Sequence, residues 1–248
     1  MNYRDILFRE YTSTAQEHRI EVSQESYLLR ERAFRKKFIN ILPDDKTVPI
    51  LDIGCGMGFF LWFLQNNGFT NPSGIDFSPE QVKVAESFGV REVHLCHWKE
   101  YLADKPSKFG FIMLDNVIEH LTKDEIVELL SAILFSLKPG GRLYISTPNS
   151  GSIFGLPLAF VDFTHEVFFT AASLEQVLSA CGFAPVHVLG EPLIAFDLRS
   201  FVRKSAFSLI KPLVKAAYIA GTGGGGRTSI PHVIEPSLAA IAEKPTEQ

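Results

Sequence analysis

The sequence predicts an α/β protein whose core is a doubly wound, mostly parallel sheet. Three observations carry this prediction: an apolar run at 50–53 stops at a glycine-rich turn, an apolar stretch of helical periodicity follows over 59–67, and a second apolar segment ends at Asp76. A buried strand, a tight turn and a helix in this order open the nucleotide-binding half of such sheets. Ligands bind at the carboxyl ends of the strands, so we expect a site at this turn.

The turn carries glycines at 54, 56 and 58. Glycine is needed where the backbone takes a positive φ, or where a ligand comes so close that a Cβ would intervene. A dinucleotide fingerprint has the spacing G-x-G-x-x-G, and its third glycine would fall at Phe59. A nicotinamide oxidoreductase is therefore the weakest of the alternatives.

The loop at 51–58 and the segment at 74–81 resemble the first two motifs of the class I S-adenosylmethionine (SAM)-dependent methyltransferases. In that family the loop cradles the methionine end of SAM, and the acid after the second strand binds the ribose. The resemblance covers about 45–190 and implies a Rossmann-like sheet of seven strands in the order 3-2-1-4-5-7-6, with the last strand antiparallel. It also implies SAM as cofactor and S-adenosylhomocysteine (SAH) as product.

The resemblance assigns cofactor contacts to residues of the first four strands and their loops. They are Asp52, Gly54, Cys55, Gly56, Gly58, Asp76, Phe77, Ser78, Trp98, Asp115 and Asn116. Relatives often carry an acid after the third strand that binds the adenine amino group, where this chain has His97 and Trp98. We therefore expect backbone recognition of adenine with Trp98 as an apolar wall. Phe77 either contacts an adenine face or belongs to the core.

The chain divides into four parts around this core. An N-terminal helical cap covers 1–47, the SAM-binding core 48–190, a helical and loop insertion 191–236, and the last strand and tail 237–248. The cap is predicted to pack on the sheet edge, because its apolar residues have near-helical spacing. In the family such helices also form a lid over the cofactor, from which Tyr3, Tyr11 and Arg30 could reach the site.

Apolar runs, caps and turns predict the remaining elements. Ser78 caps a helix that begins at Pro79, and Thr122 caps another. The segment K-P-G-G within 137–142, common in the family, predicts a turn. The predicted strands are 92–95, 109–114, 143–146 and 238–243, with a further strand after Phe183, and the later predicted helix is 173–180.

The fourth strand leads into D-N-V-I-E-H-L, which includes Glu119 and His120. The E-H-L triplet recurs in many small-molecule methyltransferases. The signature N/D-P-P-Y/F of amide or adenine amino methylation is absent, because Val117 and Ile118 follow Asn116. His120 is either a site residue or a structural residue before the next helix.

A long loop at 151–169 includes Asp162 and His165 in a segment that resembles the D-x-x-H…F-T segment of one broad methyltransferase subgroup. Long loops at the carboxyl edge of a sheet often carry function. His165 could take the proton of an acceptor hydroxyl, with Asp162 as its orienting partner. The alternative is a structural histidine.

The insertion contains five cations among apolar residues over 199–215: Arg199, Arg203, Lys204, Lys211 and Lys215. This pattern predicts a basic amphipathic helix, or a helix pair kinked at Pro212. We expect it to pack on the protein or to form a homodimer. The alternative is a surface for anionic lipid or a lipid-linked substrate. The glycines of 221–226 predict a mobile loop, without the G-K-[ST] of a phosphate loop.

Composition excludes several classes of function. A net charge of −4 argues against a nucleic-acid partner. Cys55, Cys96 and Cys181 form no C-x-x-C pair, so we expect neither a metal site nor a disulfide framework. The first residues do not form a signal peptide and no apolar run is long enough to cross a bilayer, so we expect a cytoplasmic protein.

These observations lead to one functional hypothesis. The chain transfers a methyl group from SAM to a small polar acceptor, such as a hydroxyl of a sugar or secondary metabolite, with His165 as the first candidate for the base and His120 as the second. N- or carboxyl-methylation is an enzymatic alternative. A binding subunit that retains the fold without catalysis is the alternative of another class.

Overall fold

In the computed structural model, the structure describes residues 22–195, 197–222 and 233–246, together with Leu7. One sheet of seven strands has the order β3-β2-β1-β4-β5-β7-β6, which confirms the predicted order. The strands are β1 (Ile50–Ile53), β2 (Pro72–Asp76), β3 (Val93–Leu95), β4 (Phe109–Asp115), β5 (Leu137–Pro148), β6 (Val186–Gly190) and β7 (Ser237–Glu243). Strand β7 runs antiparallel to both β5 and β6, also as predicted.

Helices cover both faces of the sheet. They are α1 (Gln24–Phe38), α2 (Phe59–Asn66), α3 (Pro79–Ser87), α4 (Trp98–Leu102), α5 (Lys123–Ser136), α6 (Leu156–Val161), α7 (Ala171–Ala180) and α8 (Leu198–Thr222), with a 3₁₀ turn at Ile118–His120. Helix α3 begins after the predicted cap Ser78, and α5 after the predicted cap Thr122.

Strand β1 is apolar because both of its faces are covered. Ile50 packs with aromatic residues of α1 and α2 on one face, whereas Leu51 and Ile53 belong to the larger cluster on the other face. Its parallel neighbours β2 and β4 align with it, so that Ile53 lies opposite both Ile75 and Leu114. The carboxyl ends of the three strands therefore meet at one edge of the sheet.

The structure corrects several predicted boundaries. Strand β5 starts at Leu137, so the predicted K-P-G-G turn lies inside the strand, where the register with β4 shifts and Gly140 has a φ of 72°. The long loop at 151–169 contains helix α6. Helix α8 runs through Pro212 as one element, and Gly221 belongs to it rather than to a loop. Tyr3, Tyr11 and 223–226 lie outside the described residues.

Candidate active site

The turn after β1 has a backbone conformation that glycine permits. Gly54, Gly56 and Gly58 have φ angles of 72°, 54° and 74°. The amides of Gly54 and Cys55 donate to the carbonyl of Ile75 at 2.8 and 3.0 Å, which ties the turn to β2. Three left-handed residues in five would strain any other residue type, so the glycine spacing follows from the backbone itself.

Close approach adds a second reason for glycine. A Cβ on Gly54 would lie 2.5 Å from Cγ2 of Val117, and a Cβ on Gly56 would lie 2.6 Å from Oε1 of Gln81. Val117 follows β4 through Asn116, whose own φ is 53°. The end of β4 thus packs directly on the turn, and no side chain larger than a hydrogen fits at these two positions.

Asp76 ends β2 beside this turn, and its carboxylate is already held in place. One oxygen accepts from the amide of Gly56 at 2.8 Å and the other from the amide of Ser78 at 2.8 Å. Burial raises the pKa of Asp76, and these backbone hydrogen bonds oppose the rise. The carboxylate is therefore oriented in advance and keeps acceptor lone pairs for a ligand.

Three carboxyl groups converge where β1, β2 and β4 end. Burial, together with Asp115 and Asp76, raises the pKa of Asp52 well above its ordinary value. Burial also raises the pKa of the Cys55 thiol, and Asp52 and Asp76 add to the rise. The site therefore disfavours further negative charge, and a positively charged ligand would reduce the electrostatic repulsion among its carboxylates.

Helix α1 lies against the glycine turn, as a lid would. The hydroxyl of Tyr27 donates to the carbonyl of Met57 at 2.5 Å, and its ring centroid lies 4.5 Å from that of Phe59. The guanidinium carbon of Arg30 lies 4.4 Å from the centre of the Phe59 ring. Burial lowers the pKa of Arg30, and Asp115 opposes this. The sequence indicated Arg30 but missed Tyr27.

A partly buried ion pair joins α1 to the segment after β6. The side chain of Lys37, 8% exposed, pairs with Glu191, and its Nζ lies 3.9 Å from Oδ1 of Asp115. Burial lowers the pKa of Lys37, but the two carboxylates outweigh burial and raise it. Ser146 donates to Asp115 from β5. The sequence missed Lys37 and Glu191, because 154 positions separate them.

The two predicted histidines lie together, with ring centroids 4.7 Å apart. Nδ1 of His165 lies 2.8 Å from the carbonyl of Ala159. A carbonyl only accepts, so in the neutral imidazole this nitrogen carries the proton and Nε2 carries the lone pair. Nδ1 of His120 lies 2.8 Å from the hydroxyl of Thr164, which itself donates to Asp162 at 2.7 Å. Asp162 therefore orients His120 through Thr164.

Glu119 lies beneath this pair. Its carbonyl accepts from the amides of Glu166 and Val167 at 2.7 and 3.1 Å, which fastens the histidine loop to the end of β4. Neither carboxylate oxygen has a hydrogen-bond partner among the residues that the structure describes. Burial raises the pKa of Glu119 to about 8.

We expect the buried Glu119 to make stability fall with rising pH. Its ordinary pKa is 4.5 and its pKa in the folded protein is about 8, so the folded state holds an extra proton between these values. Each pH unit inside that window should lower the free energy of unfolding by about 1.4 kcal/mol. Glu119→Gln removes this slope, whereas Glu175→Gln on the exposed face of α7 keeps it. Urea denaturation at pH values from roughly 5.5 to 8, inside the window between the two pKa values, measures the slope. Equal slopes in wild type and Glu119→Gln would contradict the assignment of the raised pKa to Glu119.

Glu119, His120 and His165 each offer one ligand atom, and these atoms lie within 4.8 Å of one another. Two imidazoles and one carboxylate suit a first-row transition metal such as Zn²⁺. The prediction that the chain holds no metal stays a prediction, and chelation tests it.

Two further predicted site residues follow β2 and β4 at the edge where these strands end. Phe77 is half exposed at the end of β2, and Asn116 is exposed after β4. Trp98 begins α4 and packs inside the larger hydrophobic cluster, where its indole N–H has no hydrogen-bond partner among the described residues. This burial favours a core role over the predicted adenine wall.

An open cavity of about 370 Å³ lies between α1, α6 and α8. Its lining is apolar apart from Glu191, Arg203 and Ser237. Because Glu191 also pairs with Lys37, this cavity adjoins the ion pair that reaches Asp115.

Comparison with known proteins bears on this geometry. The family model described as a methyltransferase domain matches residues 25–188, so the match begins within α1, earlier than the motifs indicated. Ubiquinone biosynthesis O-methyltransferase of Xylella fastidiosa is 32% identical over 114 residues, 42% of this chain and 45% of that protein. The mitochondrial human protein of that name is 29% identical over 187 residues, 65% of this chain and 50% of that protein. The chain thus spans about half the length of the curated relatives it matches.

Solved structures share the fold. A SAM-dependent methyltransferase from Archaeoglobus fulgidus has a TM-score of 0.63 at 23% identity, with 97% of this chain and 99% of that chain covered. Phosphoethanolamine N-methyltransferase 2 of Haemonchus contortus in complex with S-adenosyl-L-methionine has a TM-score of 0.61 at 17% identity, with 99% and 60% covered. The [4+2]-cyclase SpnF also matches, with a TM-score of 0.56 at 19% identity over 92% and 85%. Fold alone therefore does not determine the reaction.

Proposed function

We propose that this chain, which belongs to the methyltransferase domain family, transfers a methyl group from SAM to an oxygen of a small acceptor. The observation that carries the proposal is the bare glycine backbone beside three converging carboxyl groups at the ends of β1, β2 and β4. When bound, SAM supplies an electrophilic methyl group on a positively charged sulfur. Intact binding features of this kind also argue against a subunit that retains only the fold.

The residues at the strand ends fit SAM. Asp76 is oriented by two backbone amides and would accept hydrogen bonds from the ribose hydroxyls. The backbone at Gly54, Gly56 and Gly58 would lie against the methionine end, in the left-handed conformation that glycine permits. Phe77, half exposed beyond Asp76, would cover an adenine face.

His165 is our first candidate for the base, because its Nε2 lone pair can receive the acceptor's hydroxyl proton. A base placed in this way contributes roughly 10²–10⁴-fold to a rate. His120 is the second candidate, and Thr164 and Asp162 hold its ring in one orientation. Helix α1 would limit the access of water to the glycine turn, to which the buried Tyr27 hydroxyl is hydrogen-bonded. Positioning and dehydration then supply the rest of the acceleration.

The cavity beside Glu191 is our candidate for the acceptor site. Its apolar lining suits a secondary metabolite with an apolar or aromatic body better than it suits a sugar, and Arg203 offers one charged contact. The curated relatives are named O-methyltransferases, which supports an oxygen acceptor over an amine or a carboxylate.

Transfer from SAM labelled in its methyl group tests the proposal. We expect phenols and catechols to accept the labelled methyl group and sugars to accept less of it. Glu191→Gln should lower kcat/KM by about tenfold while the variant still binds SAH. Glu175→Gln on α7 is the matched control. SAH binding without turnover on any hydroxyl compound would favour the amine or carboxylate alternatives, and the absence of SAH binding would remove the cofactor assignment.

A further inference from the structure

Helix α8 contacts the body of the protein along one line of residues. Ser200, Phe207, Lys211, Val214 and Tyr218 are half buried and recur at helical spacing. The ring of Phe207 lies 5.3 Å from that of Phe154, and Lys211 pairs with Glu235. These contacts define the inner face of α8.

The opposite face of α8 is apolar, although it points to solvent. Leu198, Val202, Leu209 and Leu213 are 57–79% exposed, and we call them the outer stripe. At 100° per residue they fall within an arc of roughly 60° centred opposite the inner face. Phe201, 60% exposed, lies next to the stripe. A solvent-facing helix normally carries polar residues here, so this stripe marks an interaction surface.

The cations of α8 lie on the sides of the helix rather than in the outer stripe. At 100° per residue Arg199 falls nearest the stripe, whereas Arg203, Lys204 and Lys215 fall closer to the inner face. The segment 198–222 contains no Asp or Glu, so it carries five positive charges in a chain whose net charge is −4. Long basic side chains on the sides of such a helix can extend toward phosphates while their stems stay on apolar surface.

We infer that α8 is an interfacial helix that docks the protein on an anionic lipid bilayer, with the outer stripe entering the boundary between headgroups and acyl chains. None of the helices in the described ranges has the length and apolar content needed to cross a membrane. An apolar stripe on one face, Lys and Arg on the remaining faces and modest overall hydropathy are the pattern of a helix that lies in the membrane plane. Pairing with a second copy would bring like charges together, whereas anionic headgroups neutralise them.

Two aromatic residues of the segment around α6 are also exposed. Phe160 and Phe163 are 65% and 83% exposed in the segment around α6, which Phe154 joins to α8. A bilayer accommodates such separate apolar contacts, because it needs no matching shape. The inference does not depend on the proposed reaction.

Vesicle co-sedimentation of the full chain tests the inference, with vesicles of phosphatidylcholine alone and with about one third phosphatidylglycerol. We expect at least roughly tenfold tighter binding to the anionic vesicles. Leu209→Gln combined with Leu213→Gln should weaken that binding at least about tenfold. The matched control is Val127→Gln combined with Phe135→Gln, two apolar residues of α5 that are each 50% exposed. SAH calorimetry on each variant verifies folding.

The charge requirement has its own variants. Arg199→Gln combined with Lys204→Gln and Lys215→Gln should weaken binding to anionic vesicles only, whereas Lys123→Gln combined with Lys138→Gln should not. Three results would overturn the inference: no binding to either vesicle, equal binding to both, or a dimer in sedimentation velocity that the double leucine variant separates while vesicles bind neither form.

Discussion

His165→Ala should lower kcat by roughly 10²–10⁴-fold while the affinity for SAH stays within about twofold. The reason is geometric: the carbonyl of Ala159 holds the proton on Nδ1 of His165, so Nε2 can accept the proton of the acceptor hydroxyl. The imidazole is the group that the reaction needs, and the glycine turn and Asp76 that hold SAM remain. Steady-state turnover with a phenolic acceptor and calorimetry with SAH measure the two quantities.

His187→Ala is the matched control, because His187 is an exposed histidine on β6. Dialysis of wild type against a chelator separates a base from a metal ligand. If His165 acts as a base, the dialysed enzyme keeps its activity. If Glu119, His120 and His165 instead hold a catalytic metal, dialysis removes the metal and the enzyme loses its activity. Undiminished turnover of His165→Ala would exclude the base role. A large loss in His120→Ala alone would transfer that role to His120.

Asp76→Ala should weaken SAH binding about 10²-fold or more. Two hydrogen bonds from ribose hydroxyls to a carboxylate are each worth about 1.5–3 kcal/mol. The substitution also removes the hydrogen-bond acceptor of the Gly56 and Ser78 amides, which donate to Asp76 in the wild type. Asp76→Asn should retain part of the affinity, since its oxygen can still accept one of these bonds. Calorimetry with SAH gives the dissociation constants.

Asp104→Ala is the control for Asp76, because Asp104 is exposed and pairs only with its neighbour Lys105 among the contacts described. Thermal denaturation of the three variants separates lost affinity from lost folding. An SAH affinity within about threefold of wild type in a folded Asp76→Ala variant would contradict the ribose assignment.

Much of the fold could be predicted because its signals are local. The glycines at 54, 56 and 58 indicated a left-handed backbone conformation that other residue types do not adopt easily. Ser78 and Thr122 indicated where helices begin, because their side chains accept hydrogen bonds from the first turn of the helix. The K-P-G-G segment lies within strand β5 rather than in the predicted turn, because a strand with a register shift can contain a turn-forming sequence.

The candidate site was predictable only in part. Asp76 and the histidines appeared in recognisable segments, but the roles of Tyr27, Lys37 and Glu191 did not. In the sequence, Tyr27 is only an aromatic residue at helical spacing, and that pattern is equally typical of a residue in the hydrophobic core. No periodicity links Lys37 to Glu191, which only the packing of α1 against the sheet brings together.

The sequence by itself determined the class of the fold, the glycine turn and the acid that follows it, because each depends on the conformational limits of a few neighbouring residues. Only the tertiary structure decided which distant groups meet: the two histidines over Glu119, the Lys37–Glu191 pair beside Asp115, and the outward direction of the apolar stripe on α8. Contacts between distant segments depend on how whole elements pack, and local periodicity carries no record of that packing.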